Sequence, residues 1–390
     1  MPPNNPPPSY FPDSQYLARL PSPPDYSSGL TVEPVSSKKL QQPIQILLDN
    51  RKETYDVGDM VSGKVVISPY RDTAFSEIVV DVAETESVIR SRDYSDIRVA
   101  RTYSIVKHLP SLTGFSRDMI LRQDQAYSFQ FTLVIPEFQP IGACKSNLPL
   151  HKYLPPSLGS SPTDNSVYDL SDLSARLYYL LRVRVLGGSQ NNRKAVIEHS
   201  LDIRILPSHV PILSLEDSKV FRSVTSLTQG KLSRSKIGDL ELKINNIPTV
   251  FIGPAQAVML DLNLYYIPTG SSDRPPRLSR LSYKLLSHTV SSHSVLDYYP
   301  SPNQKSCFTH SEVLSSRRID DPKVQWNATR RSEYCSCIAL PLLFDKHPRM
   351  LPTFYSCLIS RQYELQVSLN IGNSQSTLTI PIVIAYDYKR

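Results

Sequence analysis

From Pro43 onward the chain alternates apolar and polar residues in short runs: Ile44, Ile46 and Leu48, then Val61, Val65 and Ile67 around Gly63, then Ile78, Val80 and Val82. A period of two marks half-buried strands, because successive side chains point to opposite faces of a sheet. The same pattern predicts strands over 127–135, 177–186 and 196–206, each bounded by Pro, Gly, Asn or Ser. Asp49-Asn50-Arg51 and Tyr55-Asp56-Val57-Gly58-Asp59 read as turns, with Gly58 supplying a permissive backbone. His209 to Leu213, after Leu206-Pro207, predicts a hinge. The pattern then restarts over 238–244, 257–267, 278–290, 334–344, 363–369 and 378–385. Strands at this density in two halves predict an all-β protein of two tandem sandwiches, spanning 43–207 and 208–390. A short helical piece fits near 167–174. Residues 139–166 and 299–332 read as long connections, beyond the roughly 12–15 residues usual for structureless loops, and so as functional or disordered.

Residues 1–42 differ sharply. About a quarter of them are Pro, and no apolar periodicity is present. Such a segment buries too little surface to offset its ordering entropy, so it is expected to be a disordered arm with polyproline II bias. It carries the phrase PPxY twice, as Pro7-Pro8-Ser9-Tyr10 and Pro23-Pro24-Asp25-Tyr26. One PPxY somewhere in a chain so rich in Pro has a chance expectation on the order of 0.1–0.2, and two in one arm roughly a hundredth. PPxY is the pattern that group I WW domains bind. The prolines lie flat on an aromatic groove and the Tyr enters a separate pocket. The candidate binding residues are therefore Pro7, Pro8, Tyr10, Pro23, Pro24 and Tyr26. The twelve residues between the motifs reach roughly 20 Å as a flexible chain, which lets two WW domains of one partner engage together.

Composition narrows the remaining classes. No run approaches the ~18 apolar residues of a membrane span, and the polar start is no signal peptide, so a soluble cytoplasmic protein is expected. Five cysteines without a disulfide-framework spacing fit a reducing compartment. The net charge of +7 is dispersed. It reads as a mildly basic surface with weak contact to an anionic membrane as a further use, and no nucleic-acid module accompanies it. No GxSxG, HExxH, GxxxxGK[ST] or GxGxxG occurs, so neither catalysis nor a cofactor is expected. Cys335 and Cys337 share a strand face. A zinc site there would need two more ligands and a wider spacing, so both are read as core thiols and no metal is expected. Glu84 and Glu86 also share a face and are read as a solvated carboxylate pair.

Several phrases resemble the arrestin superfamily, in its α-arrestin (arrestin-related trafficking adaptor) branch. Tyr55 to Val65 is similar to the family's Y-x-x-G-D-x-V-x-G-x-V. Ala126 to Pro136 is similar to Y-x-F-x-F-x-x-x-x-P, and Leu154-Pro155-Pro156-Ser157 with Leu177 to Val185 to LPPS…Y-x-L-x-A-x-V. Leu351-Pro352-Thr353-Phe354 with Arg361-Gln362-Tyr363-Glu364-Leu365 resembles P-T-F…R-x-Y-x-L. The phrases run in family order over 43–390. The resemblance implies two immunoglobulin-like sandwiches in the arrestin fold, with these residues maintaining the fold. It also implies an adaptor that brings a HECT-type ubiquitin ligase with WW domains to cytosolic segments of plasma-membrane transporters or receptors, peripherally recruited to plasma membrane or endosomes. The alternative is an arrestin-fold sorting or scaffold protein, retromer-like, without ligase recruitment. α-Arrestins usually carry PPxY in a C-terminal tail. The N-terminal position here resembles the Bul-type ligase adaptors of fungi, and with the last strand running close to Arg390 no C-terminal tail for autoinhibition or clathrin binding is expected.

Overall fold

The computed structural model describes residues 31–34, 42–92, 95–112, 119–123, 125–144, 146–159, 174–188, 192–208, 220–229, 235–245, 249–252, 257–270, 274–302, 304, 306–329, 333–343, 350–372 and 374–386. Strands dominate. The first half holds β1 (Thr31–Pro34), β2 (Ile44–Leu48), β3 (Met60–Ile67), β4 (Thr73–Ala74), β5 (Glu77–Arg92), β6 (Ser95–His108), β7 (Ile120–Leu121), β8 (Gln125–Val134), β9 (Ala175–Gly187) and β10 (Lys194–Ile203). The second holds β11 (Val220–Gln229), β12 (Ser235–Asn245), β13 (Thr249–Ile252), β14 (Ala257–Pro268), β15 (Arg280–Ser291), β16 (Phe308–Asp320), β17 (Asn327–Ala328), β18 (Tyr334–Leu343), β19 (Phe354–Tyr355), β20 (Ile359–Ile371) and β21 (Ser374–Tyr386).

Each half is built on two sheets. In the first they run β1-β8-β3-β2 and β10-β9-β5-β6. In the second they run β11-β12-β14-β18-β17 and β13-β21-β20-β15-β16, with β19 appended to β20. The alternation read from the sequence fills the space between them. Strand β9 turns Leu177, Tyr179, Leu181, Val183 and Val185 inward, and β8 answers with Phe129, Phe131 and Leu133. In the second half Leu240, Leu242 and Ile244 of β12 join a core with Leu365, Val367 and Leu369 of β20. The all-β expectation therefore holds.

The Tyr55–Val65 phrase has a physical account. Tyr55, 1% exposed, is strapped by its backbone to Arg204 and Leu206 through bonds of 2.8 and 2.9 Å. Gly58 sits at φ +81°, a left-handed conformation that costs other residues roughly 1–2 kcal/mol. Asp59 accepts from the Asp56 amide at 2.7 Å and closes the turn. Gly63 has no room for a side chain, since a Cβ there would lie 2.2 Å from the Leu47 carbonyl oxygen of the neighbouring strand.

Three strand expectations needed revision. Thr31–Pro34 lies in the segment read as disordered, yet it pairs antiparallel with β8, Val32 opposite Tyr127. The connection 299–332 contains the 13-residue β16. Strands β6, β11 and β13 carried no apolar alternation strong enough to be read at all. All five stand at the edge of a sheet, where pairing is one-sided and side chains face more water. Edge strands are held by backbone bonds to a neighbour that the local sequence does not reveal. The helical piece expected near 167–174 falls outside the described residues except for Ser174.

Gly63→Ala is expected to destabilise the first half by about 1–3 kcal/mol through overpacking against β2, read as a lower midpoint in chemical denaturation. Gly58→Ala, where space is open but φ is positive, is expected to cost roughly 1–2 kcal/mol. An unchanged midpoint for Gly63→Ala would refute the close approach of β2.

Candidate functional site

Strand β5 places Glu84 and Glu86 on one face, as two residues two apart must be. The expectation that they are solvated is overturned: both are fully buried. That face of β5 lies under the connection that follows β8 and under the 351–359 segment of the second half. Phe354, Cys357, Leu358 and Ile359 of that segment belong to the first half's apolar core.

Glu86 is held from across the junction. Ser356 donates from its hydroxyl to Glu86 Oε1 at 2.5 Å, and the Leu358 amide donates to Oε2 at 2.7 Å. The segment is fixed on its own side as well: the Leu296 amide donates to the Cys357 carbonyl at 2.8 Å and the Ser292 amide to the Leu358 carbonyl at 2.9 Å. Thr353 exchanges bonds with Ile384 of β21, its amide donating to the Ile384 carbonyl at 2.8 Å and its hydroxyl accepting from the Ile384 amide at 2.9 Å. These contacts account for the Pro352-Thr353-Phe354 phrase as structure.

Glu84 is surrounded differently. Tyr103 donates to Oε1, and Gln139 Nε2 donates to the same oxygen at 3.2 Å. Tyr179 has one hydroxyl proton and lies 2.6 Å from the Pro155 carbonyl but 3.2 Å from Glu84 Oε2. The shorter contact takes that proton, so the contact to Glu84 Oε2 is the weaker of the two. Burial, then the charge of Glu86, pushes the Glu84 carboxyl well above its ordinary range, and burial raises Glu86 too. Asp81, two pleats along, is also buried but has cations of its own, Arg182 at 2.7 Å and Arg184 at 2.9 Å.

Arg101 of β6 reaches the same junction and donates from Nη2 to the Ala143 carbonyl at 2.7 Å. Beside it lie Cys144, after β8, His151, in the 3-10 turn Pro149–Lys152, and Cys357, between β19 and β20. Their ligand atoms fall within 4.8 Å of one another. The Cys144 thiol is held well below its usual range, first by a hydrogen bond from Cys357 and then by His151 and the Ser146 amide, while Cys357, donating to Cys144 and buried, is pushed up.

The sequence pointed elsewhere. Pro7, Pro8, Tyr10, Pro23, Pro24 and Tyr26 lie outside the described residues. Cys335 and Cys337 are not core thiols: Ser336 between them is buried, Cys335 is half-buried and Cys337 exposed, so the pair lies on the outer face of β18. Nothing local singles out Cys144, His151 and Cys357, because Cys357 is more than 200 residues from the other two and meets them only when the halves dock. A cleft of about 210 Å³ is lined in part by Arg51, Lys52, Tyr179, Asp202 and Arg204, charges of mixed sign without a paired nucleophile and base. No helix of the described residues is long and apolar enough to cross a membrane.

Two β-sandwiches in series, antiparallel except where β13 pairs with β21 and sharing a buried polar seam, have an arrestin-like form. Residues 273–386 match the family model described as the Bul1 C terminus, a range that takes in β15 to β21. This part of the second half is thus similar to the Bul1 C terminus. No curated protein matches the chain.

Two outcomes are expected at the seam. Glu86→Ala strands the Ser356 hydroxyl and the Leu358 amide and is expected to cost on the order of 2–3 kcal/mol, whereas Glu86→Gln retains one acceptor and costs less. Glu84 binds its proton more tightly folded than unfolded, so its contribution is greatest below the ordinary carboxylate range and declines as pH rises toward the raised folded value. Wild type is therefore expected to lose stability relative to Glu84→Gln as pH rises above the ordinary carboxylate range of about 4, followed by denaturation at each pH. A difference that stays flat would mean that Glu84 is ionised in the fold.

Proposed function

We propose that this protein is an adaptor that recruits a WW-domain HECT-type ubiquitin ligase through its two PPxY phrases and presents it to membrane cargo, a transporter or receptor, for ubiquitylation and endocytic sorting. The observation that carries the reading is the conjunction of Pro7-Pro8-Ser9-Tyr10 and Pro23-Pro24-Asp25-Tyr26 with a match to the Bul1 C terminus in one chain. The body supports it by its form. Glu86 joins the two halves through buried hydrogen bonds from Ser356 and Leu358, which suits a rigid presenting platform.

Two weak sites on one arm give avidity when a single ligase offers two WW domains. Titration calorimetry of the full chain with a tandem-WW fragment is expected to show weaker binding for Tyr10→Ala and for Tyr26→Ala, by roughly 10–100-fold each, and no binding for the double variant. Strand circular dichroism of each variant checks that the body is folded. Unimpaired binding by the double variant, or none by wild type, would remove the ligase-recruiting mechanism in favour of a sorting or scaffold protein with the same fold.

A further inference from the structure

We propose that Cys144, His151 and Cys357 form a zinc site that clamps the two halves of the body together, with Cys144 Sγ, His151 Nδ1 and Cys357 Sγ as the protein ligands. The site goes beyond ligase recruitment and does not depend on it.

Three observations converge. The donor set is the first: two sulfurs and an imidazole nitrogen are the ligands a thiophilic d10 cation such as Zn²⁺ selects, and all three lie within 4.8 Å of one another. Spacing is the second. Zinc bonds of about 2.3 Å to sulfur and about 2.0 Å to nitrogen, at tetrahedral angles, place a sulfur and a nitrogen about 3.5 Å apart. Cys144 Sγ and His151 Nδ1 are 3.7 Å apart, a long sulfur–nitrogen contact that is also close to the separation of two ligands on one ion. The third is an unexplained buried group. His151 is 1% exposed, and Nε2 has no hydrogen-bond partner among the described residues, so its only polar contact is that long one to sulfur. Coordination replaces that long contact at Nδ1 with a metal bond and fixes the ring proton on Nε2.

The surroundings suit the ion. Cys357 is fully buried, whereas Cys144 is half-exposed and gives zinc a way in, with water available for the fourth tetrahedral position. Binding releases the thiol protons to solvent, and the two thiolates balance the charge of the ion. Arg101 and Glu86, both adjacent, offset one another. Two ligands belong to the first half and one to the second, so each ion bound ties the 351–359 segment to the connection after β8.

The test uses the full chain, purified under reducing conditions and loaded with ZnCl₂, then desalted and analysed by elemental mass spectrometry. About one zinc per chain is expected, falling at least about tenfold in Cys144→Ser, His151→Gln and Cys357→Ser and unchanged in Cys337→Ser. Because Cys357→Ser disturbs a buried position, the half-exposed Cys144→Ser is also read by cobalt substitution: wild type is expected to show the thiolate-to-cobalt charge-transfer band, and the variant to lose it while keeping its strand circular dichroism. Zinc well below one equivalent in wild type, or retention of zinc and the cobalt band in Cys144→Ser, would overturn the proposal. So would a reduced chain that holds no zinc but closes a Cys144–Cys357 disulfide on peroxide treatment.

Discussion

A carboxylate buried between two β-sandwiches has to be satisfied by both, and Glu86 meets that constraint. It belongs to the longest strand of the first half, and its two hydrogen-bond donors, Ser356 and Leu358, belong to the second. An acceptor inside a low-dielectric seam is costly unless bonded, so separating the halves exposes not only apolar area but also an oriented set of polar partners. Apolar packing alone tolerates sliding. A carboxylate with one donor on each oxygen does not. The register of one sandwich against the other therefore follows from Glu86, and the placement of Cys357 beside Cys144 and His151 follows from that register.

The second acid on the strand explains how such a seam stays affordable. Two ionised carboxylates on adjacent pleats of a buried face repel, and burial together with the charge of Glu86 raises the Glu84 carboxyl well above its ordinary range. Tyr103 and Gln139 of the first half donate to it, where Glu86 takes its donors from the second. Asp81 has two arginines at the rim instead. One strand thus carries three buried acids, held by a cross-junction clasp, by donors within the first half and by ion pairing.

The legible part of this structure was what depends on neighbours close in sequence. Alternation gave the central strands, as in β9 and β20, because a strand buried on one face must repeat every two residues. The Tyr55–Gly63 phrase was readable as a turn entering a strand, since Gly58 and Gly63 act through local backbone demands. Edge strands β1, β6, β11, β13 and β16 were hidden, because their stability comes from a partner strand and their side chains look like surface. The seam was hidden for the same reason at larger scale. Glu86 read as solvated because its donors lie some 270 positions away, and Glu84 because its partners, Tyr103, Gln139 and Tyr179, come from three separate segments of the first half.

The strand missed in the arm bears on how the proposed hooks would work. By pairing with β8, Thr31–Pro34 fixes one end of the arm to the edge of a sheet. From Tyr26 to Thr31 the chain spans at most about 18 Å fully extended, whereas from Tyr10 it spans up to about 75 Å. Under the proposed function, a WW domain on the second phrase would lie within that short reach of the first sandwich, and one on the first phrase within the longer one. The two phrases are alike in sequence but unlike in contour length: the near one would set where a ligase sits against the body, and the far one would raise the chance of its capture. Without β1 the tether would begin at the body's next strand, β2, and the near phrase would lose its defined distance from the platform.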